Sequence, residues 1–519
     1  MSTESRAEKS VLNARINLLF YVLILIVTFF SRKIFLEKLG DDFVGMTSTL
    51  ANLLGLLNLA ELGVGSAVGY MLYKPLTEGN REQINRIISV LGFIYHKIGF
   101  VVIAGALILS IFLPWILENA PFPDPLIYFT FFSYLLGAVL GYFANYRQFL
   151  LNADQRQYVV TAYYQSANIL RLLIQLSILY KTANPYYWVI IEITFSIIYC
   201  LILNNRINKA YPWLRSNVRK GRLLFKEYPE LIRYTKQIFV HRVGGTVLSH
   251  LSPVFVYTYT SLTVVAYYTN YVLIVSKVEQ LAVQLLGSAD AGIGHLVAEG
   301  DSMRIQKVFA EIFALRYWIA GVLVGTLWFS LNPFIELWLG PEYLLPNPTV
   351  ILILANLFIM LTRIADSFNM AYGLFYDTWA PITEAALNIG LSIVLGKLWG
   401  LNGVLAGTTI SMLIIATIWK PYFLYHKGFR LSVWRYWKKV AVNLAILLVV
   451  FTIVLVADYQ LHSINPANNA LTWGLYTLTI AVILGVLLFG TMFLFTQGMK
   501  TLTWRMVYLV RCKLLHKNN

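Results

Sequence analysis

Apolar runs of about twenty residues return from one end of this chain to the other, and that pattern limits the folds open to it more than any other feature. As a helix, each run is long enough to cross a hydrocarbon core of roughly 30 Å. Approximate limits are 14–36, 43–71, 88–117, 125–150, 158–180, 185–204, 236–259, 262–288, 308–331, 347–373, 380–399, 402–425, 437–457 and 470–496. Charged residues make up 13% of the chain, against about 25% in ordinary soluble domains. The expected fold is an all-α polytopic membrane protein with about 14 transmembrane helices. A very short gap, within LWGLNGV, separates the eleventh run from the twelfth.

The formal charge of +16 is not spread evenly. An even number of spans puts both termini on one side, and that side receives nearly all the loop Lys and Arg. They include Lys74, Arg81, Arg147 and Arg156, a dense set from Arg206 to Lys236, then Lys427 to Lys439 and Lys500 to Lys517. The other side receives Arg32, Lys33, Lys38, Lys181 and Lys397. The positive-inside rule places both termini in the cytoplasm. This distribution argues against a nucleic-acid partner. The polar start, MSTESRAEKS, carries no cleavable signal pattern. Cys200 and Cys512 show neither disulfide nor metal-ligand spacing. The tail TLTWRMVYLVRCKLL reads either as an interfacial helix or as a frayed basic end.

A repeat runs through the chain. EGNREQINR from Glu78 and EGDSMRIQK from Glu299 each follow the second span of a half and lead into the next. The same offset pairs Val44 with Val265 and Gly45 with Ala266, and nearly the same offset pairs YVVTA around Thr161 with PITEA around Thr383. The expected organisation is an N-terminal six-helix bundle at 1–205, a basic cytoplasmic linker at 206–235 and a C-terminal six-helix bundle at 236–428. Two additional transmembrane helices at 429–497 and a basic cytoplasmic tail at 498–519 complete it. Six spans per half give parallel repeats about an axis along the membrane normal. That is a transporter plan in which rocking bundles give alternating access.

Charges inside a bilayer cost about 2.5–3.5 kcal/mol each on insertion scales, so they face a cavity or a partner. Tyr164, Asn168, Arg171 and Gln175 recur at three- and four-residue steps along one helix face. His241, Arg242 and His250 share the seventh span; Asn270, Lys277 and Gln284 keep heptad spacing in the eighth, with Glu279 nearby. Arg363, Asp366 and Asn369 share a face of the tenth, and Glu384 lies in the eleventh. Together they predict a hydrophilic, net-positive cavity. Arg171, Arg242, Lys277 and Arg363, with Asn168, Gln175 and Asn270, are candidate contacts to an anionic substrate, because Arg forks suit phosphate oxygens. The plainer reading gives Arg363 and Asp366 a structural pair and lets Arg15, Lys97 and Arg316 snorkel.

The second span contains NLAELGVGSAVG, with Glu61 ahead of Gly63, Gly65 and Gly69. The small residues predict close packing or a bend. Glu61 is either a cavity carboxylate for a coupling cation or proton, or the partner of an Arg on a neighbouring helix. Asp366 and Glu384 are further candidates for ion coupling.

RKIFLEKLGDDFVGMTSTLANLLGLLNLAELGVGSAVGYMLYKPL, residues 32–76, resembles the first two spans of bacterial polysaccharide flippases. These are the Wzx-type O-antigen and capsule exporters of the MOP (multidrug/oligosaccharidyl-lipid/polysaccharide) superfamily. The twelve-plus-two span order, the repeat and the basic linker agree with it, while the later spans match in pattern only. The resemblance implies flipping of an undecaprenyl-diphosphate-linked glycan across the inner membrane, with proton or sodium coupling and no bound cofactor. It also implies membrane lipid and other polysaccharide-assembly proteins as partners. Rival readings are a drug or cation antiporter, a peptidoglycan-precursor flippase, a membrane glycan polymerase or acyltransferase, and a scaffold. The enzyme readings lack a sizeable extracytoplasmic loop with paired catalytic residues, and no GxxxxGK[ST] loop offers direct ATP driving.

Overall fold

In hydrocarbon a backbone must satisfy its own hydrogen bonds, and helices do so within one segment. The computed structural model describes residues 6–61, 63–287, 290–374, 376–461 and 465–515. Some side chains within these, among them 237–238, 240–249 and 284–285, fall outside the described set. The described residues form helices and no strand. In order these are α1 (Arg6–Leu39), α2 (Asp41–Leu57), α3 (Val64–Glu78), α4 (Arg81–Ile116), α5 (Asp124–Phe143), α6 (Gln148–Ala153), α7 (Gln157–Thr182), α8 (Pro185–Ala210), α9 (Val218–Leu224) and α10 (Pro229–Tyr259). There follow α11 (Leu262–Gly287), α12 (Asp290–Glu299), α13 (Ser302–Trp338), α14 (Asn347–Thr362), α15 (Ile364–Ala371), α16 (Trp379–Met412), α17 (Lys420–Phe423), α18 (Trp434–Leu461), α19 (Ala470–Phe495) and α20 (Gln497–Leu515).

Nine helical stretches among the described residues are long and apolar enough to cross a membrane, by length and composition. One of them, Trp379–Phe429, holds the expected eleventh and twelfth spans. Gly400 breaks it with φ 56° and ψ −129°. Beyond the break the chain doubles back: Asn388 Nδ2 donates to Thr408 Oγ1 at 2.8 Å and Ser392 Oγ to the Val404 carbonyl at 3.3 Å. At Gly403 a Cβ would strike the Leu395 carbonyl, so only glycine permits so tight a hairpin. The second leg runs on through π-helical turns, 413–419 and 424–429. The expected spans outside the nine stretches are the second, fifth, seventh and eighth. They fall on α2–α3, α7, α10 and α11, the segments with the densest polar sets.

The repeat has a physical basis. In both copies the glycine of Glu-Gly-Asn/Asp ends a helix in the left-handed region, Gly79 at φ 68° and Gly300 at φ 78°. The next residue caps the following helix. Asn80 Oδ1 accepts from the Gln83 amide at 3.0 Å, and Asp301 Oδ1 accepts from Met303 and Arg304 amides at 3.0 and 3.1 Å.

Packing divides the chain into two units, Met1–Ala266 and Tyr267–Asn519. The boundary lies past the expected linker, because α10 packs on α2 and α3 of the first unit. Close by, Thr263 Oγ1 donates to Asp42 at 2.7 Å, and a Cβ on Gly45 would collide with the Leu262 carbonyl. The linker itself is strapped to α4. Arg215 N donates to Asn85 Oδ1 (2.6 Å), Asn217 N to Ser89 Oγ (2.9 Å), and Arg86 pairs with Glu227 at 2.6 Å. Gly221 rests against the Ser89 carbonyl with no room for a Cβ. At the end of α8, the Tyr211 hydroxyl donates to Asp154 at 2.7 Å, and burial together with that carboxylate raises the phenol above its usual pKa.

In the second unit the core centres on Phe309, ringed by Phe368, Phe429 and Tyr425 at 5.1, 5.2 and 5.8 Å. The appended helices lie on α13, where Trp318 and Trp473 donate indole N–H groups to the Gly485 and Ser330 carbonyls, each at 3.0 Å. The tail forms a packed helix: α20 sets Gly498 against the Ala310 carbonyl, and Arg505 pairs with buried Glu311 at 2.8 Å.

Gly221→Leu is expected to weaken the fold by about 1–3 kcal/mol through overpacking, read as a lower melting temperature of the purified protein. Gly69→Ala adds a methyl to open space and should leave it unchanged. Identical melting of Gly221→Leu and wild type would exclude the strapped linker from the fold's stability.

Candidate functional site

The second span bends as its glycines suggest. A 3₁₀ turn, Asn58–Glu61, ends the first half, and Gly63, at φ 91°, opens α3. Gly65 faces the Phe149 ring with no space for a Cβ, whereas Gly69 faces open space. The bend places half-buried Glu61 near the Tyr142 hydroxyl, whose proton is donated to Asn58 Oδ1 at 2.9 Å. Among the described residues no Arg pairs with Glu61.

The polar face of α7 opens on a cavity of about 820 Å³ inside the first unit. Tyr164, Asn168 and Arg171 line it, with Asn58 from the 3₁₀ turn, Tyr134 from α5 and Glu192 from α8. Arg171 Nη2 donates to Asn168 Oδ1 at 2.5 Å, and Nη1 pairs with Glu192 Oε1. Gln175 is fully buried, one turn further along α7. Its Nε2 donates to the Trp188 carbonyl at 2.9 Å and to Glu192 Oε2 at 3.2 Å. Phe35 stacks on Trp188 in the same wall, with ring centroids 4.1 Å apart. Arg171, Asn168 and Gln175 therefore form one network.

A second cluster lies in the other unit, at the break between α14 and α15. Arg363 occupies the break with φ −70° and ψ 57°. Its Nε donates to Asp366 Oδ2 at 2.9 Å, and its Nη1 lies 3.8 Å from Glu384 Oε1. Glu279 of α11 adds its charge to the same guanidinium. The structural pair read at i, i+3 is present, and it extends to further carboxylates. Asn270 is buried and Lys277 half-buried on α11. Arg316, read as a snorkelling residue, is instead buried and donates to Ser367 Oγ at 3.4 Å. Lys97 is exposed, its ammonium 4.8 Å from the Phe93 ring centre. The side chain of Arg242 lies outside the described residues.

No protein-family model matches the chain, and no curated protein matches it in sequence. Solved structures do. The lipid II flippase MurJ, in an inward closed conformation, superposes with a TM-score of 0.59 at 14% identity, over 93% of this chain and 99% of that one. A multidrug resistance MATE family transporter of the MOP superfamily, inward-facing, gives 0.58 at 12% identity, over 80% and 98%. The fold is shared with both.

Two participants escape a reading of helix faces one at a time. Glu192 is the carboxylate inside the apolar run WVIIEITFSIIY, and its pairing with α7 is a contact between helices. Asp377, which is buried, binds Lys420 at 2.7 Å and accepts from Trp419 Nε1 at 3.3 Å across the hairpin. In each case the signal was a lone acid beside or within an apolar segment.

Arg363→Gln would strand Asp366 and Glu384 without their cation. Glu384 is the buried member, and leaving a buried charge without its partner costs up to about 3–5 kcal/mol, so the expected outcome is loss of the monodisperse peak on detergent size-exclusion chromatography. The triple variant Arg363→Gln/Asp366→Asn/Glu384→Gln should recover that peak. An intact peak for the single variant would mean that the carboxylates do not depend on Arg363.

Proposed function

We propose that the chain is a flippase that moves an undecaprenyl-diphosphate-linked oligosaccharide repeat unit from the cytoplasmic to the periplasmic leaflet by alternating access, for surface polysaccharide. The observation that carries this reading is the Arg171 face of α7 on a cavity of about 820 Å³. A diphosphate and its sugars cannot cross hydrocarbon unless protein groups replace their water. This wall supplies a guanidinium, amides and phenol hydroxyls, the chemistry that phosphate and sugar oxygens accept. The volume falls within the roughly 300–1,000 Å³ of small-molecule sites. Resemblance of residues 32–76 to polysaccharide flippases supports the same substrate class.

Coupling to protons or sodium belongs to the proposal. Arg363 pairs with Asp366 and Glu384 and feels the charge of Glu279 as well, an excess of negative charge that suits a cation. Glu61, half-buried near the Tyr142 hydroxyl, is a further candidate. Lys277, Asn270 and Arg242 remain candidates for the substrate path. The expected setting is the inner membrane with both termini cytoplasmic, on the loop charges. The likeness to MurJ, over 93% of this chain, favours one second reading, a peptidoglycan-precursor flippase.

Deletion of the gene in its host separates the readings. Loss of surface glycan, with lipid-linked units accumulating on the cytoplasmic leaflet, supports the proposal. Lysis with accumulated peptidoglycan precursor supports the second reading. Normal glycan with altered sensitivity to cationic compounds points to a drug antiporter, and unpolymerised units at the periplasmic leaflet point to a polymerase. In the deletion background, Arg171→Ala and Arg242→Ala are expected to lower glycan display at least about tenfold at unchanged protein level. Full display by both at matched expression would remove them from the phosphate path.

A further inference from the structure

We infer that Glu192 is a built-in competitor for the anion site on Arg171: its carboxylate occupies the place that a phosphate oxygen takes on binding. The inference rests on the proposed diphosphate substrate and assigns Glu192 the tuning of its affinity and release.

The geometry is that of an exchangeable pair. Arg171 and Glu192 lie on the cavity wall with side chains 21% and 22% exposed, so an incoming group reaches both. Arg171 uses Nη2 on Asn168 and Nη1 on Glu192, while its Nε has no hydrogen-bond partner. A guanidinium binds carboxylate and phosphate through the same planar fork. The two anions therefore compete for one set of donors, and their mutual repulsion disfavours both binding at once. Without the carboxylate, Arg171 would be an uncompensated charge in a membrane helix. With it, the resting wall is close to neutral, and a ligand must outbid one carboxylate.

Gln175 makes the competitor persistent. It is fully buried, so it does not follow the ligand, and its Nε2 holds Glu192 Oε2 while anchored on the Trp188 carbonyl. Glu192 thus stays close to Arg171 when displaced and returns when the ligand leaves. Gln175 is a positioning residue in this scheme. The chemical consequence is selectivity: a diphosphate displaces the carboxylate, whereas uncharged lipids do not. Re-formation of the pair assists release.

The test uses the full-length protein in nanodiscs, with undecaprenyl diphosphate as the probe and undecaprenol as the uncharged control. Glu192→Gln should bind undecaprenyl diphosphate about tenfold more tightly than wild type, with undecaprenol unchanged, and should display less glycan in cells because release slows. Arg171→Gln/Glu192→Gln should fold and lose the preference for diphosphate. Should Glu192→Gln fail to fold, Glu192→Asp keeps the charge but withdraws it by one methylene, and is expected to tighten binding in the same direction. Equal or weaker binding by the folded Glu192 variant, with the wild-type preference intact, would overturn the inference and spare the substrate reading. A wild-type protein that does not distinguish the two lipids would overturn both.

Discussion

Each polar side chain carried into hydrocarbon must meet another polar group or water, and the fold is arranged around that demand. Arg171 finds Glu192 and Asn168, Arg363 finds Asp366 and Glu384, and Lys420 finds Asp377. None of these partners could be supplied by lipid. The apolar surface alone would let the helices associate in many registers, since lipid tails are as apolar as Leu. The paired charges, with the glycine contacts at Gly45, Gly221 and Gly498, leave few registers open.

The two clusters differ in balance. In the first unit one guanidinium meets one carboxylate on an open wall. In the second, one guanidinium meets two carboxylates, with the charge of Glu279 acting on it as well, and Glu384 is nearly inaccessible. The first arrangement suits a ligand that replaces an anion, the second one that replaces a proton or a metal cation. The two arrangements fall in different halves of a repeated chain.

Much of this was legible along the chain because the deciding physics is local. Glu-Gly-Asn and Glu-Gly-Asp are a left-handed stop followed by an Asx cap, and both act so. The α7 face follows from helical periodicity, and the division at LWGLNGV falls where Gly400 turns the chain. The contacts that join helices were not legible. Nothing along the sequence tells Glu192 to meet Arg171, or ties residues 215–227 to α4. Burial of Arg316 within α13 was equally hidden, because snorkelling and burial look alike until a neighbour such as Ser367 is known.

The hairpin at Gly400 bears on how the chain sits in the membrane. Its legs are joined by a single non-helical glycine, and Asn388 and Ser392 on one leg donate to the Thr408 hydroxyl and the Val404 carbonyl on the other. The polar groups of the two legs therefore find partners only when residues 379–429 lie in the bilayer as a folded pair, so the hairpin and not the single leg is the unit that the membrane accommodates best.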